Sequence, residues 1–433
     1  MTRVTVYPAG PLRGRVRVPG DKSISHRALL LGALAEGDSR VANFLPSGDC
    51  MATLECLRLL GVHIEQHDVT TLTVYGRGES GLQAPALPLN CVRSGTTMRL
   101  LTGILAGQSF QSTLTGDAQL LRRPMRRVVE PLRRMGAEIA DTDGHAPLTV
   151  YGQRLHGCEH RLEVASAQVK SALLLAGLHA DGPTTVCEPA PSRDHTERML
   201  LAMGARLVAD GLCVTIIPDA APLRPLSLTI PGDISSAAFP LVAAVLVNGS
   251  EVTIEGVGVN PARTGLLDVL CAMGAEISIF NKREQGGEPV ADVTARASAL
   301  SGVEVGGATV VRMIDEFPIL AVAATQAGGQ TVVRDAAELR VKETDRIATV
   351  VTELRKMGAH IEPLPDGFIV SGPTPLKGTV VESHGDHRLA MALFVAGLVA
   401  RGETVIEDIE CTSDSFPGFV ALMHSLGVAV RPA

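Results

Sequence analysis

Lys22, Arg27, Arg123, Arg193, Lys342, Arg346 and Arg388 stand at turns that read as helix starts, where the helix dipole disfavours positive charge. Cations in such places call for an anion to offset them. Free N–H groups at a helix start already favour phosphate and carboxylate. Small polar residues accompany the cations in DKSISHR (21–27), RSGTTMR (93–99), SAQVKS (166–171), IDEFP (314–318), KETDR (342–346) and GDHR (385–388). Each residue also has a plainer explanation. Ser and Asp cap helices, and Asp315 could do so ahead of Pro318. Glu343 and Arg346 could form an i,i+3 pair, Lys22 and Arg27 could be solvated, and His195 and His387 could hydrogen-bond locally. No H-E-x-x-H or C-x-x-C spacing is present, and neither a P-loop nor a G-x-G-x-x-G follows a strand, so no metal is expected.

The elements that must position these turns repeat. A helix ending in Leu or Met, then Gly, then a short strand occurs at Gly61, Gly136, Gly204, Gly274, Gly358 and Gly427, at intervals of 68 to 84 residues. Each interval is one supersecondary block. A copy opens with a strand (GRVRV, PLSLTI, RLEV, ATVV, GTVV), passes a polar turn into an Ala/Leu-rich helix, and continues through a Thr/Val-rich strand. The second helix and a hairpin close it, giving β-α-β-α-β-β. The first helices are apolar nearly all round and are expected inside, with sheets outside them. The sixth copy lacks its last strand, which TRVTVY at the other end of the chain resembles. The chain therefore divides into residues 19–230 and residues 1–18 with 231–433, with a hinge near Pro19 and Pro231 that permits closure on a ligand.

Composition removes other classes. Net charge is −7, with three Tyr, nine Phe and no Trp, which disfavours a nucleic-acid binder built on basic grooves and stacking rings. The longest uncharged apolar run, Leu389 to Ala400, is 12 residues, too short for a membrane span. Eight Cys are scattered through apolar stretches and read as small hydrophobes in a reduced, cytosolic enzyme.

The segments PGDKSISHRALLLGALAEG, SGTTMRLLTG, LRRPM, SAQVKSALLLAGL, SRDHTERML, RVKETDRI and GDHRLAMAL resemble, in this order and over almost the whole chain, the 5-enolpyruvylshikimate-3-phosphate synthases. The resemblance implies a two-domain inside-out α/β barrel of three βαβαββ units per domain. It also implies transfer of the enolpyruvyl group of phosphoenolpyruvate to the 5-hydroxyl of shikimate 3-phosphate in aromatic amino-acid biosynthesis. Neither cofactor nor metal is implied, and a cytoplasmic monomer is expected. By motif, Lys22, Ser23, Arg27, Ser166, Ala167, Gln168, Arg193, Asp315 and Lys342 would hold shikimate 3-phosphate. Lys22, Gly95, Arg123, Gln168, Arg346 and Arg388 would hold phosphoenolpyruvate, with Asp315 the proton acceptor and Glu343 and Lys22 the other participants. Retained Gly95 implies inhibition by glyphosate. The chain departs from the family pattern at Arg93, where many members have Asn, and at Asp414, near which some have Lys. Enolpyruvyl transferases acting on UDP-N-acetylglucosamine are the nearest rival, but their loop cysteine has no counterpart in GDAQLLRRPM. A phosphate-backbone-binding repeat protein is the rival from another class, and the acidic balance and scarcity of rings argue against it.

Overall fold

Each repeat glycine follows the C-cap residue of a helix with φ between 83° and 99°, the left-handed position just past the helix end that Gly takes without strain. Six helices therefore stop in one manner and send the chain into a hairpin. The computed structural model describes residues 3–219 and 221–432. The chain forms two compact units: Gly20–Ile230 with Glu284–Glu288, here the first unit, and the residues up to Pro19 with Pro231–Arg283 and those from Pro289 on, the second. Glu284–Glu288, which the sequence places in the other lobe, is a hairpin tip that groups with the first unit; there the Gln285 side chain donates to the Thr229 carbonyl.

The first unit carries α1 (Lys22–Leu34), α2 (Gly48–Leu59), α3 (Gly95–Ala106), α4 (Ala118–Leu121), α5 (Arg126–Arg134), α6 (Ala167–Gly177) and α7 (His195–Ala202). The second carries α8 (Ile234–Leu246), α9 (Gly265–Ala272), α10 (Ala308–Arg312), α11 (Phe317–Thr325), α12 (Arg346–Lys356), α13 (His387–Val399) and α14 (Phe419–Ser425). The opening helices α1, α3 and α6 are buried along most of their length, as are α8, α11 and α13. Each set fills one apolar core. Burial on all sides explains their lack of a polar face, each buried Leu or Ile contributing about 1.5–3 kcal/mol.

Six four-stranded sheets share one order: opening strand, strand after the inner helix, then the two hairpin strands with the last innermost. In the sixth, Arg3–Val6 takes that last place, antiparallel to Thr404–Glu407 on one side and Val430–Pro432 on the other. The start of the chain thus completes the final repeat, as its TVY pattern suggested. The opening strands of the first and fourth copies are exchanged. Arg13–Val16 pairs in parallel with Glu251–Ile254 of copy four, and Ser227–Thr229 with Arg40–Ala42 of copy one. Both strands lie before their crossover prolines and stay with the unit the chain is leaving.

Two expectations are corrected. ATVV does not open copy five: the strand is Glu304–Val305, and Ala308–Arg312 is helical, with Val310 packed into the core against the β preference of its residues. The cysteines are not all thiols either. Cys187 and Cys213 face each other across antiparallel strands and form a disulfide, because the register sets their Cα atoms 4.0 Å apart.

Candidate functional site

Within the first unit, three inner-helix starts are tied together. Asp21 caps α1 through the Ile24 amide at 2.9 Å, making Lys22 the first helical residue. Lys22 Nζ meets the Asp49 carboxylate at 2.5 Å, both side chains being 17% exposed. Asp49 lies in the first turn of α2, and its carbonyl accepts from Thr97 Oγ1 on α3. Ser94 caps α3, leaving Gly95 first in that helix. A Cβ on Gly95 would meet Arg99 NH1 at 2.7 Å and Arg123 NH1 at 3.1 Å, so two guanidinium groups occupy the space a side chain would take. Arg99 NH1 donates to Gln168 Oε1 at 2.7 Å, and Gln168 Nε2 donates to Thr96 Oγ1 at 2.9 Å. The start of α6, with Ser166 as cap and Ala167 as first residue, is thereby fastened to the start of α3.

Behind these turns the charges are buried and paired. The Ser166 amide donates to Glu188 Oε1 at 3.0 Å. Glu188 and Glu197 each lie 2.8 Å from Lys170 Nζ, with all three side chains under 10% exposed. Burial would lower the Lys170 pKa, but Glu197 and Glu188 outweigh it and raise it. Arg193 NH1 donates to Ser23 Oγ at 3.1 Å. Arg27 is buried: Nε donates to Thr196 Oγ1, NH1 to the Ser23 carbonyl and NH2 to Ser171 Oγ, so it braces α1 against α6 and α7. Burial pulls its pKa down to about 10, against the opposing pull of Glu197.

The second unit builds its cluster around a guanidinium. Arg346, first residue of α12 and 1% exposed, places Nε 2.7 Å from Asp386 Oδ2, NH2 2.8 Å from Glu343 Oε2 and NH1 3.4 Å from Asp315 Oδ1. Burial would lower its pKa; Asp386, Glu343 and Asp315 together raise it. Asp386, buried at the cap of α13, is pushed up by burial and up again by Glu343, yet Arg346 holds it below the usual carboxylate range. Arg388, second in α13 and 7% exposed, sets NH2 3.7 Å from Asp315 Oδ2. Asp315 does not cap α11, whose start is Glu316 without a side-chain cap, and its carboxylate lies between Arg346 and Arg388. Lys342 is half-buried just after the 3-10 turn Ala337–Val341, three residues ahead of the Asp345 cap of α12.

Several residues that the sequence does not single out complete these clusters. Thr97 and Arg99 belong to RSGTTMR and Asp49 stands at the start of α2, but the partners described here lie 27 to 69 residues away. Asp386 follows a glycine at a helix start and reads as a cap, which it is; its charge pairing with Arg346 comes from 40 residues away. His195, expected to hydrogen-bond locally, instead pairs with Glu288 Oε1 at 2.7 Å, 93 residues along the chain. Asp194, His195 and Glu288 bring donor atoms within 4.8 Å of one another, but Asp194 already accepts from Arg198 and Glu288 from His195.

Comparison with known proteins decides which family uses this arrangement. The family model described as EPSP synthase (3-phosphoshikimate 1-carboxyvinyltransferase) matches residues 6–423. The chain belongs to the EPSP synthase family. A 3-phosphoshikimate 1-carboxyvinyltransferase of Herpetosiphon aurantiacus is 54% identical over 419 residues, 96% of this chain and 97% of that protein. One from Geobacter sulfurreducens is 53% identical over 430 residues, 99% and 100% of the two chains. The solved EPSP synthase of Acinetobacter baumannii superposes with a TM-score of 0.90 at 43% identity, over 100% of both chains. The enolpyruvyl transferase NikO from Streptomyces tendae, at 22% identity and TM-score 0.83, shares the fold. The inside-out α/β architecture is thus that of the EPSP synthases. Of the two departures from the family pattern, Arg93 reaches Asp117, the cap of α4, at 2.9 Å, and Asp414 ends the 3-10 turn Ile409–Asp414. Among the described residues no helix is long and apolar enough to cross a membrane.

Proposed function

We propose that the chain transfers the enolpyruvyl group of phosphoenolpyruvate to the 5-hydroxyl of shikimate 3-phosphate, giving 5-enolpyruvylshikimate 3-phosphate and inorganic phosphate on the route to chorismate. The observation that carries this reading is Asp315, a carboxylate 3.4 and 3.7 Å from two guanidinium groups that burial holds in place. A base beside cations suits a reaction in which an anion must sit next to a hydroxyl that loses its proton.

The 5-hydroxyl oxygen adds to C2 of phosphoenolpyruvate while a proton adds to its methylene carbon, giving a tetrahedral intermediate. Elimination then removes a proton from the new methyl group and releases phosphate from C2. Asp315 is assigned as the acceptor of the hydroxyl proton, with Glu343 and Lys22 as the other participants. Shikimate 3-phosphate is assigned to Lys22, Ser23, Arg27, Ser166, Ala167, Gln168, Arg193, Asp315 and Lys342. Phosphoenolpyruvate is assigned to Lys22, Gly95, Arg123, Gln168, Arg346 and Arg388. Bidentate Arg geometry fits phosphate and carboxylate, and paired cations offset the repulsion between two anionic substrates. One chain supplies all these groups, so a monomer suffices, and phosphorylated substrates that membranes retain place the reaction in the cytoplasm.

The test is phosphate release with both substrates, repeated on Lys22→Ala and Asp315→Ala. Lys22→Ala is expected to raise KM for both substrates, and Asp315→Ala chiefly to lower kcat, by about 100-fold or more. Wild-type activity in an Asp315→Ala protein would remove Asp315 from the chemistry.

A further inference from the structure

Beyond the groups already assigned, the second unit holds a buried charge network that runs up to Arg388. Arg263, just ahead of α9 and 4% exposed, donates from NH2 to Ser235 Oγ at 2.6 Å and to Asp233 Oδ1 at 3.2 Å. Ser235 Oγ in turn donates to Glu316 Oε1. Glu316 is 2% exposed, precedes α11 without capping it through its side chain, and its Oε2 is buried with no hydrogen-bond partner among the described residues. Its Oε1 lies 4.0 Å from Arg388 NH1, while Arg388 NH2 lies 3.7 Å from Asp315 Oδ2. Neither separation is a hydrogen bond. The guanidinium stands between two adjacent carboxylates and closes on neither.

An ionised carboxylate buried with so few partners costs stability, and the start of α11 takes no backbone bond from it in return. Its effect falls on Arg388. We infer that Glu316 is a positioning residue for the transfer reaction: it draws Arg388 aside, so the guanidinium does not clamp Asp315 in a bidentate pair. Two consequences follow for the assigned chemistry. Asp315 meets Arg388 through one nitrogen at 3.7 Å and not through a two-point clamp, and Arg388 keeps N–H groups for the carboxylate or phosphate of phosphoenolpyruvate. Ser235, held by Arg263, fixes the Glu316 carboxylate through Oε1, the same oxygen that faces Arg388. This inference rests on the proposed function and adds residues to it, since Glu316, Ser235 and Arg263 are assigned to neither substrate.

The experiment is steady-state kinetics of Glu316→Gln with phosphoenolpyruvate and shikimate 3-phosphate, alongside thermal unfolding. With the charge removed, Arg388 closes on Asp315. KM for phosphoenolpyruvate is expected to rise about tenfold and kcat to fall by a similar factor, with a smaller change in KM for shikimate 3-phosphate. Glu316→Asp, which keeps the charge, should recover part of both losses. A purely structural role would instead lower the unfolding temperature and leave both constants of the folded enzyme within about twofold of wild type, and that result overturns the inference. Should Glu316→Gln not fold, Ser235→Ala, which releases the carboxylate while leaving every charge in place, must raise KM for phosphoenolpyruvate, and an unchanged KM refutes the inference. If the wild-type chain releases no phosphate from these substrates, the enzymatic assignment fails first and this one with it; an active wild type with an unaltered Glu316→Gln sinks this one alone.

Discussion

Gly95→Ala puts a methyl group where two guanidinium groups already stand. The new Cβ would lie 2.7 Å from Arg99 NH1, where ordinary contact begins at 3.4 Å, so that nitrogen must retreat by about 0.7 Å. It is the far end of a flexible side chain, so the fold tolerates the move. Arg99 NH1 also donates to Gln168 Oε1 at 2.7 Å, and a retreat of that size takes the bond to the edge of hydrogen-bonding range. A bond to a charged donor contributes about 1.5–3 kcal/mol, equivalent to roughly 10- to 150-fold in binding. Gly95, Arg123 and Gln168 are all assigned to phosphoenolpyruvate, so the loss should appear as a rise of that size in its KM. Phosphate-release kinetics at saturating shikimate 3-phosphate measure it, and a thermal melt should move little. A KM within about twofold of wild type would show that Arg99 and Gln168 do not hold the substrate turn together.

Arg99→Lys should reproduce part of the same defect, because an ammonium cannot reach both the Gln168 side chain and the Pro124 carbonyl as the guanidinium does; unchanged kinetics would refute that. Lys170→Met strands Glu188 and Glu197 without their buried cation and should cost about 3–5 kcal/mol in urea unfolding; a loss under 1 kcal/mol would contradict the triad. Asp386 has a folded pKa below its ordinary 3.8, so the stability it contributes is present above that value and is lost as pH falls through the depressed one. The stability gap between wild type and Asp386→Asn should therefore be widest above pH 3.8 and shrink below it, and a gap that is constant with pH would count against the pairing. The retained Gly95, where any side chain would crowd the inhibitor, predicts inhibition by glyphosate, and full turnover in excess inhibitor would contradict it.

What the sequence revealed of this fold was what repeats. Gly61 and its five counterparts recur because each occupies the same left-handed stop, and the long apolar runs that follow the first turns of α1 and α13 announced burial on every side. TRVTVY could be matched to the missing strand because strand pairing copies a pattern already present in TLTVYG and PLTVYG. Less legible was whatever depends on register between distant segments. Cys187 meets Cys213 only once both strands are in place, and ATVV has the composition of a strand but lies where the core needs Val310 on a helical turn. The site follows the same division. Lys22, Gln168, Arg346 and Arg388 were visible as polar residues at helix starts, whereas Asp49 acquires meaning only from Lys22 on another helix, and Arg99 and Glu316 only from partners in other repeats.

The most direct test of the enzymatic claim is a 31P NMR time course on the wild-type protein with phosphoenolpyruvate and either shikimate 3-phosphate or UDP-N-acetylglucosamine. The expected result is inorganic phosphate formed one for one with an enol ether of shikimate 3-phosphate, and none with the sugar nucleotide. Phosphate appearing with UDP-N-acetylglucosamine alone, or with neither acceptor, would contradict the account.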